Sequence, residues 1–126
     1  MHLKYAHLEI FEQILEWAVI PTFDLVIEVG DLGVILVRRK IAPYQNQWAL
    51  PGLRMFKGEE IQDTLKRIAL DELGLKIDVK KRVLLGQYVG KFKTEHSRQD
   101  LSTGYLVKSS ALPDIKMNAD HFSSYI

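Results

Sequence analysis

The chain has 126 residues, enough for one domain and too few for two, so a single domain over residues 1–126 is expected. Hydrophobic residues make up 47% and the formal net charge is only +1, which argues against disorder and against a strong basic field for nucleic acid. The absence of cysteine excludes a disulfide scaffold, a thiolate zinc site and a cysteine nucleophile. No apolar run approaches the roughly 20 residues of a membrane span, and no signal-type apolar core follows the N-terminus, so a cytoplasmic location is expected.

The first elements in chain order are a helix and a hairpin. Apolar residues recur at helical spacing up to Val19, and Pro21 ends the pattern, which predicts an N-terminal helix at about residues 6–19. Residues 23–29 and 33–38 read as β-strands. The glycine-containing turn between them indicates a hairpin.

The second half of the chain is predicted to add a helix and two strands. Residues 60–73 form the clearest helix, and Gly74 stands where a left-handed C-terminal cap is expected. Residues 83–92 and 101–108 read as strands, whereas residues from 109 onward read as irregular. The fold class indicated is therefore α+β with a mostly β centre.

One carboxylate falls on the apolar face of the predicted helix at residues 60–73. At about 100° per residue, one face carries the apolar stripe of Ile61, Leu65, Ile68 and Ala69. Glu72 falls within that stripe, where an ionised group needs a cation or hydrogen bonds. Fraying of the helix end or a buried arginine partner would account for it structurally. Arg67 and Asp71 are interpreted as an exposed pair one turn apart.

The spacing around this helix resembles the Nudix box over residues 50–75. The matching positions are Gly52, Gly58, Glu59, Arg67, Asp71, Glu72, Gly74 and Leu75. The resemblance implies a Nudix fold, with a mixed β-sheet flanked by helices in an α/β/α sandwich. It also implies a loop and helix that hold Mg²⁺, with Mn²⁺ as the alternative, through oxygen ligands. The C-terminal helix usual in the family is expected to be missing from this chain.

Two positions depart from the Nudix pattern. Leu53 replaces a glycine, and Ile68 replaces the glutamate that follows the arginine and supports attack on phosphorus in typical Nudix pyrophosphatases. Two explanations follow: the chain is a catalytically silent sensor, or it belongs to a branch that has moved the chemistry elsewhere.

A second resemblance favours the moved chemistry. The chain is similar to GDP-mannose mannosyl hydrolases, a Nudix branch that also lacks this glutamate and attacks the sugar carbon. The likeness covers residues 21–107 without a gap, and the segments that carry it are 21–24, 38–39, 48–54, 69–75 and 100–105.

This resemblance implies a metal site and a general base. The Mg²⁺ ligands would be the carbonyl of Gly52, the carboxylate of Glu72 and, from a C-terminal loop, Asp120. His121 would be the general base, because an imidazole accepts a proton near neutral pH. A solvent-exposed tail histidine is the competing interpretation of His121.

It also implies a substrate site. Arg39 and Arg54 would bind the leaving diphosphate and support catalysis, since guanidinium groups bind phosphate bidentately. Tyr105 would donate to a phosphate oxygen, and Asp24 would accept hydrogen bonds from the sugar. The competing structural interpretations are a solvated basic run for Arg39, a core strand residue for Tyr105 and an edge or turn residue for Asp24.

The function expected from the resemblance is Mg²⁺-dependent hydrolysis of GDP-mannose to GDP and mannose by attack at the anomeric carbon. The alternatives are a Nudix pyrophosphatase that cleaves at phosphorus and a silent Nudix-fold sensor of nucleotide sugars. The expected partners are a nucleotide-sugar substrate and a second copy in a homodimer, with no nucleic acid and no membrane.

Overall fold

The computed structural model describes residues 6–40, 45–93, 96–110, 114–119 and, for the backbone, 122–125. The elements in chain order are α1 (Leu8–Trp17), β1 (Ile20–Val29), β2 (Gly33–Val34), β3 (Val37–Arg39), β4 (Trp48–Ala49), β5 (Gly52–Arg54), α2 (Ile61–Leu73), β6 (Val83–Lys91), β7 (Gln99–Ser109) and β8 (Phe122–Tyr125). The α+β class predicted from the sequence is confirmed.

Strand β1 organises a mixed five-stranded sheet in the order β2-β1-β7-β6, with β5 also paired to β1. β1 and β7 run parallel from Ile20 opposite Asp100 to Val29 opposite Ser109. The pairs β1–β2, β1–β5 and β6–β7 are antiparallel. β4, β3 and β8 form a second, three-stranded sheet.

Helix α2 covers the core face of the large sheet. A reciprocal capping box between Glu60 and Asp63 starts the helix, and Gly74 ends it with φ 65°. The predicted apolar stripe is confirmed, since Leu65, Ile68 and Ala69 have no exposed surface and Ile61 is partly buried against the core. Thr64 and Leu73 have no exposed surface either. Alternate side chains of β1 meet this helix from the sheet, since Phe23, Leu25 and Ile27 belong to the same core cluster.

The structure corrects two predictions about strands. The single strand expected at residues 33–38 is divided into β2 and β3, which belong to different sheets. The tail expected to be irregular contributes β8, which pairs with β3. Both corrections concern which strands pair with each other, and local sequence patterns do not encode strand pairing.

Helix α1 behaves differently from α2. None of its ten described residues is buried, and Leu8, Ile10 and Trp17 are 70%, 53% and 82% exposed. Among the described residues, no helix is both long enough and apolar enough to cross a membrane.

The left-handed cap of α2 generates a stability prediction. A Cβ at residue 74 would lie 2.9 Å from Lys116 Cβ and 3.0 Å from its carbonyl oxygen. We expect Gly74→Ala to lower the free energy of unfolding by about 2 kcal/mol, because the strained φ and the contact both count. Urea denaturation measures the change.

Gly30→Ala is the matched control. Gly30 also has a left-handed φ of 46°, but its added Cβ would meet only the Ser110 carbonyl oxygen at 3.6 Å. A cost of about 1 kcal/mol is expected there. Equal costs at the two positions would show that the Lys116 contact contributes nothing.

Candidate active site

The large sheet, α2 and the second sheet line an open cavity of about 940 Å³. It brings together the predicted site residues Asp24, Arg39, Gly52, Arg54 and Glu72. These residues come from β1, β3, β5 and α2. The loop before α2 joins this helix to β5, so the relative position of the two elements depends on how the loop is attached to each.

That attachment is an ion pair between Glu59 and Arg67. Arg67 Nε donates to Glu59 Oε2 at 2.8 Å, and Arg67 Nη2 donates to Glu59 Oε1 at 2.9 Å. The Phe56 backbone N–H and the Thr64 hydroxyl also donate to Glu59 Oε1, at 2.7 and 3.2 Å. Because the Glu59 side chain is wholly buried, these four donors satisfy a carboxylate that water does not reach.

Arg67 extends the attachment to β5. Its Nη2 also donates to the carbonyl oxygen of Arg54 at 2.6 Å. Its guanidinium lies over the Phe56 ring, 3.9 Å from the centroid. The interpretation of Arg67 as one half of an exposed pair with Asp71 is therefore wrong, since its carboxylate partner is Glu59.

Glu72 is the acidic residue of α2 that the fold buries. It is 1% exposed and lines the cavity. Its carbonyl oxygen accepts a hydrogen bond from the Asn118 backbone N–H at 2.8 Å, and the Leu73 carbonyl accepts one from Lys116 at 2.8 Å. These bonds fix residues 114–119 against the end of α2.

Arg39 and Glu72 both line the cavity and interact electrostatically. Burial lowers the pKa of Arg39, the charge of Glu72 opposes that shift, and the charge of Arg98 adds to it. The guanidinium remains a cation at any working pH. Arg39, Arg98 and Glu72 therefore give the cavity lining charges of both signs. Arg39 is a cavity residue rather than part of a fully solvated basic run.

Asp24 and Gly52 approach each other closely on paired strands, β1 and β5. A Cβ at residue 52 would collide with Asp24 Oδ1 and lie 2.8 Å from the Phe23 carbonyl oxygen. Only glycine fits at this position. On the other side of the carboxylate, the Tyr88 hydroxyl donates to Asp24 Oδ2 at 2.6 Å. Burial raises the pKa of Asp24, the Tyr88 hydrogen bond lowers it, and the charge of Asp100 raises it further, for a net upward shift.

Tyr105 does not take the predicted position. It is 9% exposed in the core cluster, with its ring centroid 5.8 Å from that of Phe23. The register explains the placement, because Asp24 pairs with Gly104 and Tyr105 pairs with Leu25. Adjacent strand residues point to opposite faces, so Tyr105 lies on the core side of the sheet and Asp24 on the cavity side.

Sequence reasoning missed Tyr88 and Arg98, both of which line the cavity. Arg98 Nε donates to Asp100 Oδ1 at 2.8 Å. Tyr88 reaches Asp24 because a register shift between Leu84 and Gly86 places it opposite Ser102. Strand alternation carried no signal for Tyr88, since a bulge changes which face later residues occupy. It carried none for Arg98, because this residue precedes β7.

Asp120 and His121 lie outside the described residues. Within the described ranges, no group of three or more histidine, aspartate or glutamate side chains could hold a metal ion. The described chain on either side of these positions lies near the cavity. Lys40 Nζ donates to the Ala119 carbonyl at 3.0 Å, and Phe122 pairs with Arg39.

The Glu59–Arg67 pair generates a pH prediction. Burial tends to raise the pKa of Glu59, but hydrogen bonds from Arg67, Phe56 and Thr64, with the Arg67 charge, hold it below its ordinary value of 4.5. The pair is therefore fully stabilising above pH 4.5 and loses its contribution as pH falls through the lowered pKa.

We expect Glu59→Gln to lower the free energy of unfolding by about 3 kcal/mol at neutral pH, because it leaves Arg67 without its buried counter-charge. The difference from the wild type should shrink below pH 4.5. Denaturation curves between pH 7 and pH 3 measure it. A difference that stays constant across this range would contradict the assignment.

The comparisons with known proteins agree with this architecture. The NUDIX domain family model matches residues 19–124. A 60-residue stretch is 38% identical to the low-salt glycan biosynthesis protein Agl8 of Haloferax volcanii, covering 48% of this chain and 38% of that protein. The chain thus spans about two fifths of the length of this relative.

Solved structures share the fold at low sequence identity. A MutT/nudix family protein from Enterococcus faecalis has a TM-score of 0.73 at 18% identity, covering 98% of this chain and 56% of that one. The NUDIX domain of Shewanella oneidensis NrtR, crystallised with ADP ribose, has a TM-score of 0.69 at 18% identity, covering 86% and 71%. A MutT NUDIX hydrolase from Burkholderia pseudomallei has a TM-score of 0.72 at 20% identity, covering 84% and 79%. With the family model matching most of its length, and with Gly52, Arg67, Asp71 and Glu72 of the box lining one cavity, the chain belongs to the NUDIX domain family.

Proposed function

We propose that this chain is a Mg²⁺-dependent hydrolase of a nucleoside diphosphate sugar, with GDP-mannose as the substrate and GDP and mannose as the products. The observation that carries the proposal is the division of α2 between core and cavity. Glu72 lines the cavity, whereas Ile68 has no exposed surface and packs in the core. The position that supplies a glutamate for attack on phosphorus in typical Nudix pyrophosphatases therefore supplies none here.

The residues present suit a hard divalent cation. Glu72 offers a buried carboxylate, and the Gly52 backbone lies in a space that a Cβ would fill. Together with Asp120 these are oxygen donors, which Mg²⁺ prefers, with Mn²⁺ as the alternative. When bound, the cation would neutralise charge on the diphosphate as it leaves.

Arg39 and Arg54 would bind the diphosphate from two walls of the cavity. Both line it, on β3 and β5. Guanidinium groups offer paired N–H donors to phosphate oxygens and keep their charge throughout the reaction. Their contacts strengthen as negative charge develops on the departing phosphate oxygen, so they stabilise the transition state more than the bound substrate.

Asp24 would accept hydrogen bonds from the sugar hydroxyls. The hydrogen bond from Tyr88 at 2.6 Å and the contact with the Gly52 backbone hold its carboxylate in place. A carboxylate near the anomeric carbon would also stabilise oxocarbenium character there. Tyr88 replaces Tyr105 as the tyrosine of this proposal, and its role is to hold Asp24.

His121 would accept the proton of the attacking water. The water oxygen forms a bond to the anomeric carbon, and the bond from that carbon to the phosphate oxygen breaks, with its electron pair leaving on GDP. A single displacement predicts inversion at the carbon. The support is positional: residues 114–119 are fixed to the end of α2, and Phe122 pairs with Arg39.

The names of two similar proteins support a sugar-linked substrate. One relative is called a glycan biosynthesis protein, and one structural neighbour was crystallised with ADP ribose.

Homodimer formation is proposed as well. Large apolar side chains on β6 are exposed, among them Val83, Leu84, Leu85 and Val89, and such a patch favours association.

The proposal predicts the products of GDP-mannose in Mg²⁺, which ³¹P NMR identifies. GDP with free mannose is expected, since water attacks carbon. GMP with mannose 1-phosphate would instead show attack on phosphorus and an ordinary Nudix pyrophosphatase. Binding of GDP-mannose without turnover in Mg²⁺ or Mn²⁺ would show a silent sensor.

Two histidine variants sharpen this experiment. His121→Gln should lower kcat about a hundredfold or more with little change in KM, because it removes the base but leaves the binding groups in place. His96→Gln is the control. His96 Nδ1 lies 3.2 Å from Glu16 Oε2, and His96 does not line the cavity. Unchanged turnover in His121→Gln would exclude its role as the base.

A further inference from the structure

Helix α1 lies outside the part of the chain that the family model matches, which begins at residue 19. Although none of its ten described residues is buried, it contacts the domain at two points. Phe11 meets Arg54 of β5, and Glu16 Oε2 lies 3.2 Å from His96 Nδ1 beside the start of β7. The helix therefore lies against the domain next to a residue that lines the cavity.

The contact between Phe11 and Arg54 is specific. Arg54 Cζ lies 4.2 Å from the centroid of the Phe11 ring, within the range of a cation–π interaction. The Phe56 ring is farther from Arg54, at 5.1 Å, and lies closer to Arg67, at 3.9 Å. Phe11 is thus the nearer of the two rings to Arg54.

General apolar packing does not account for α1. Phe11 and Leu15 are the only half-buried residues among those described in this helix, whereas Leu8 and Trp17 are 70% and 82% exposed. The half-buried side chains are one turn apart and define the inner face. The ring that this face presents to the domain is the one that lies over Arg54.

Stacking of this kind is compatible with phosphate binding. A ring contacts the flat face of a guanidinium, whereas phosphate oxygens bind in its plane through the N–H groups. Arginine has a long side chain with many rotamers, and a ring over its face restricts them without neutralising its charge. A group that is already ordered loses less entropy when it binds a ligand.

We infer that Phe11 is a positioning residue for Arg54. The N-terminal helix supplies the ring that holds this guanidinium in the orientation in which it binds a phosphate group. In naming a nucleoside diphosphate as the ligand, the inference rests on the proposed function. The contact itself does not depend on that function.

Four variants test it by calorimetric titration of GDP in Mg²⁺. Phe11→Leu should raise the Kd about fivefold, because the cation–π contact is lost while the apolar volume is largely kept. Phe11→Tyr and Phe11→Trp keep an aromatic ring and should stay within about twofold of the wild type. Trp17→Leu is the matched control, an aromatic deletion on the exposed side of the same helix, and should bind GDP like the wild type.

NMR of the Arg54 side chain reads the contact without any ligand. In the wild type the ring current of Phe11 should displace the Arg54 Nε–H signal, and the displacement should vanish in Phe11→Leu and remain in Phe11→Tyr. A signal that does not move in Phe11→Leu overturns the inference. So does a Phe11→Leu variant that binds GDP as tightly as the wild type.

Failure of the proposed function gives a different pattern. If the wild type does not bind GDP, the substrate class is wrong, and titration with inorganic pyrophosphate replaces GDP for the same variants. A Phe11-dependent Arg54 signal with Phe11-dependent pyrophosphate binding would then support the positioning role. Pyrophosphate binding that is absent from the wild type or indifferent to Phe11 would overturn it.

Discussion

The site depends on one buried ion pair, Glu59 with Arg67. Through it the loop before α2, the helix itself and the end of β5 become one unit, since Arg67 also holds the Arg54 carbonyl. β5 carries Gly52 and Arg54, and α2 carries Glu72. The position of β5 relative to Glu72 is therefore held by a salt bridge that takes no part in the proposed chemistry. The Glu59 carboxylate accepts four hydrogen bonds, so its burial leaves no unsatisfied acceptor to destabilise the loop.

Helical geometry explains how α2 serves both the core and the site. Ile68 and Glu72 are one turn apart on nearly the same face, so both are buried, but only Glu72 reaches the cavity. A glutamate at residue 68 would face the core from a position with no exposed surface. The core therefore packs around an apolar residue at this point, where an ionised carboxylate would be costly without partners.

The sequence predicted what is local and missed what depends on register. The extent of α2, its left-handed cap at Gly74 and the buried Glu72 follow from helical periodicity and capping, which act over a few residues. The parallel pairing of β1 with β7 and the strand β8 join segments about 80 residues apart, and no short-range pattern encodes such contacts. Tyr105 is an example of a residue whose position depends on register. Its residue type suited the site, but pairing with Leu25 rather than Asp24 placed it on the opposite face, and Tyr88 reaches the carboxylate instead.

In the proposed reaction water attacks carbon, and the fate of the water oxygen tests this step most directly. The reaction would be run with GDP-mannose in water enriched in ¹⁸O, and the masses of the products would be measured by mass spectrometry. Carbon attack predicts that the heavy oxygen appears in mannose and that GDP carries none. Heavy oxygen in GMP or in mannose 1-phosphate would contradict carbon attack and show that the protein is a pyrophosphatase that cleaves at phosphorus.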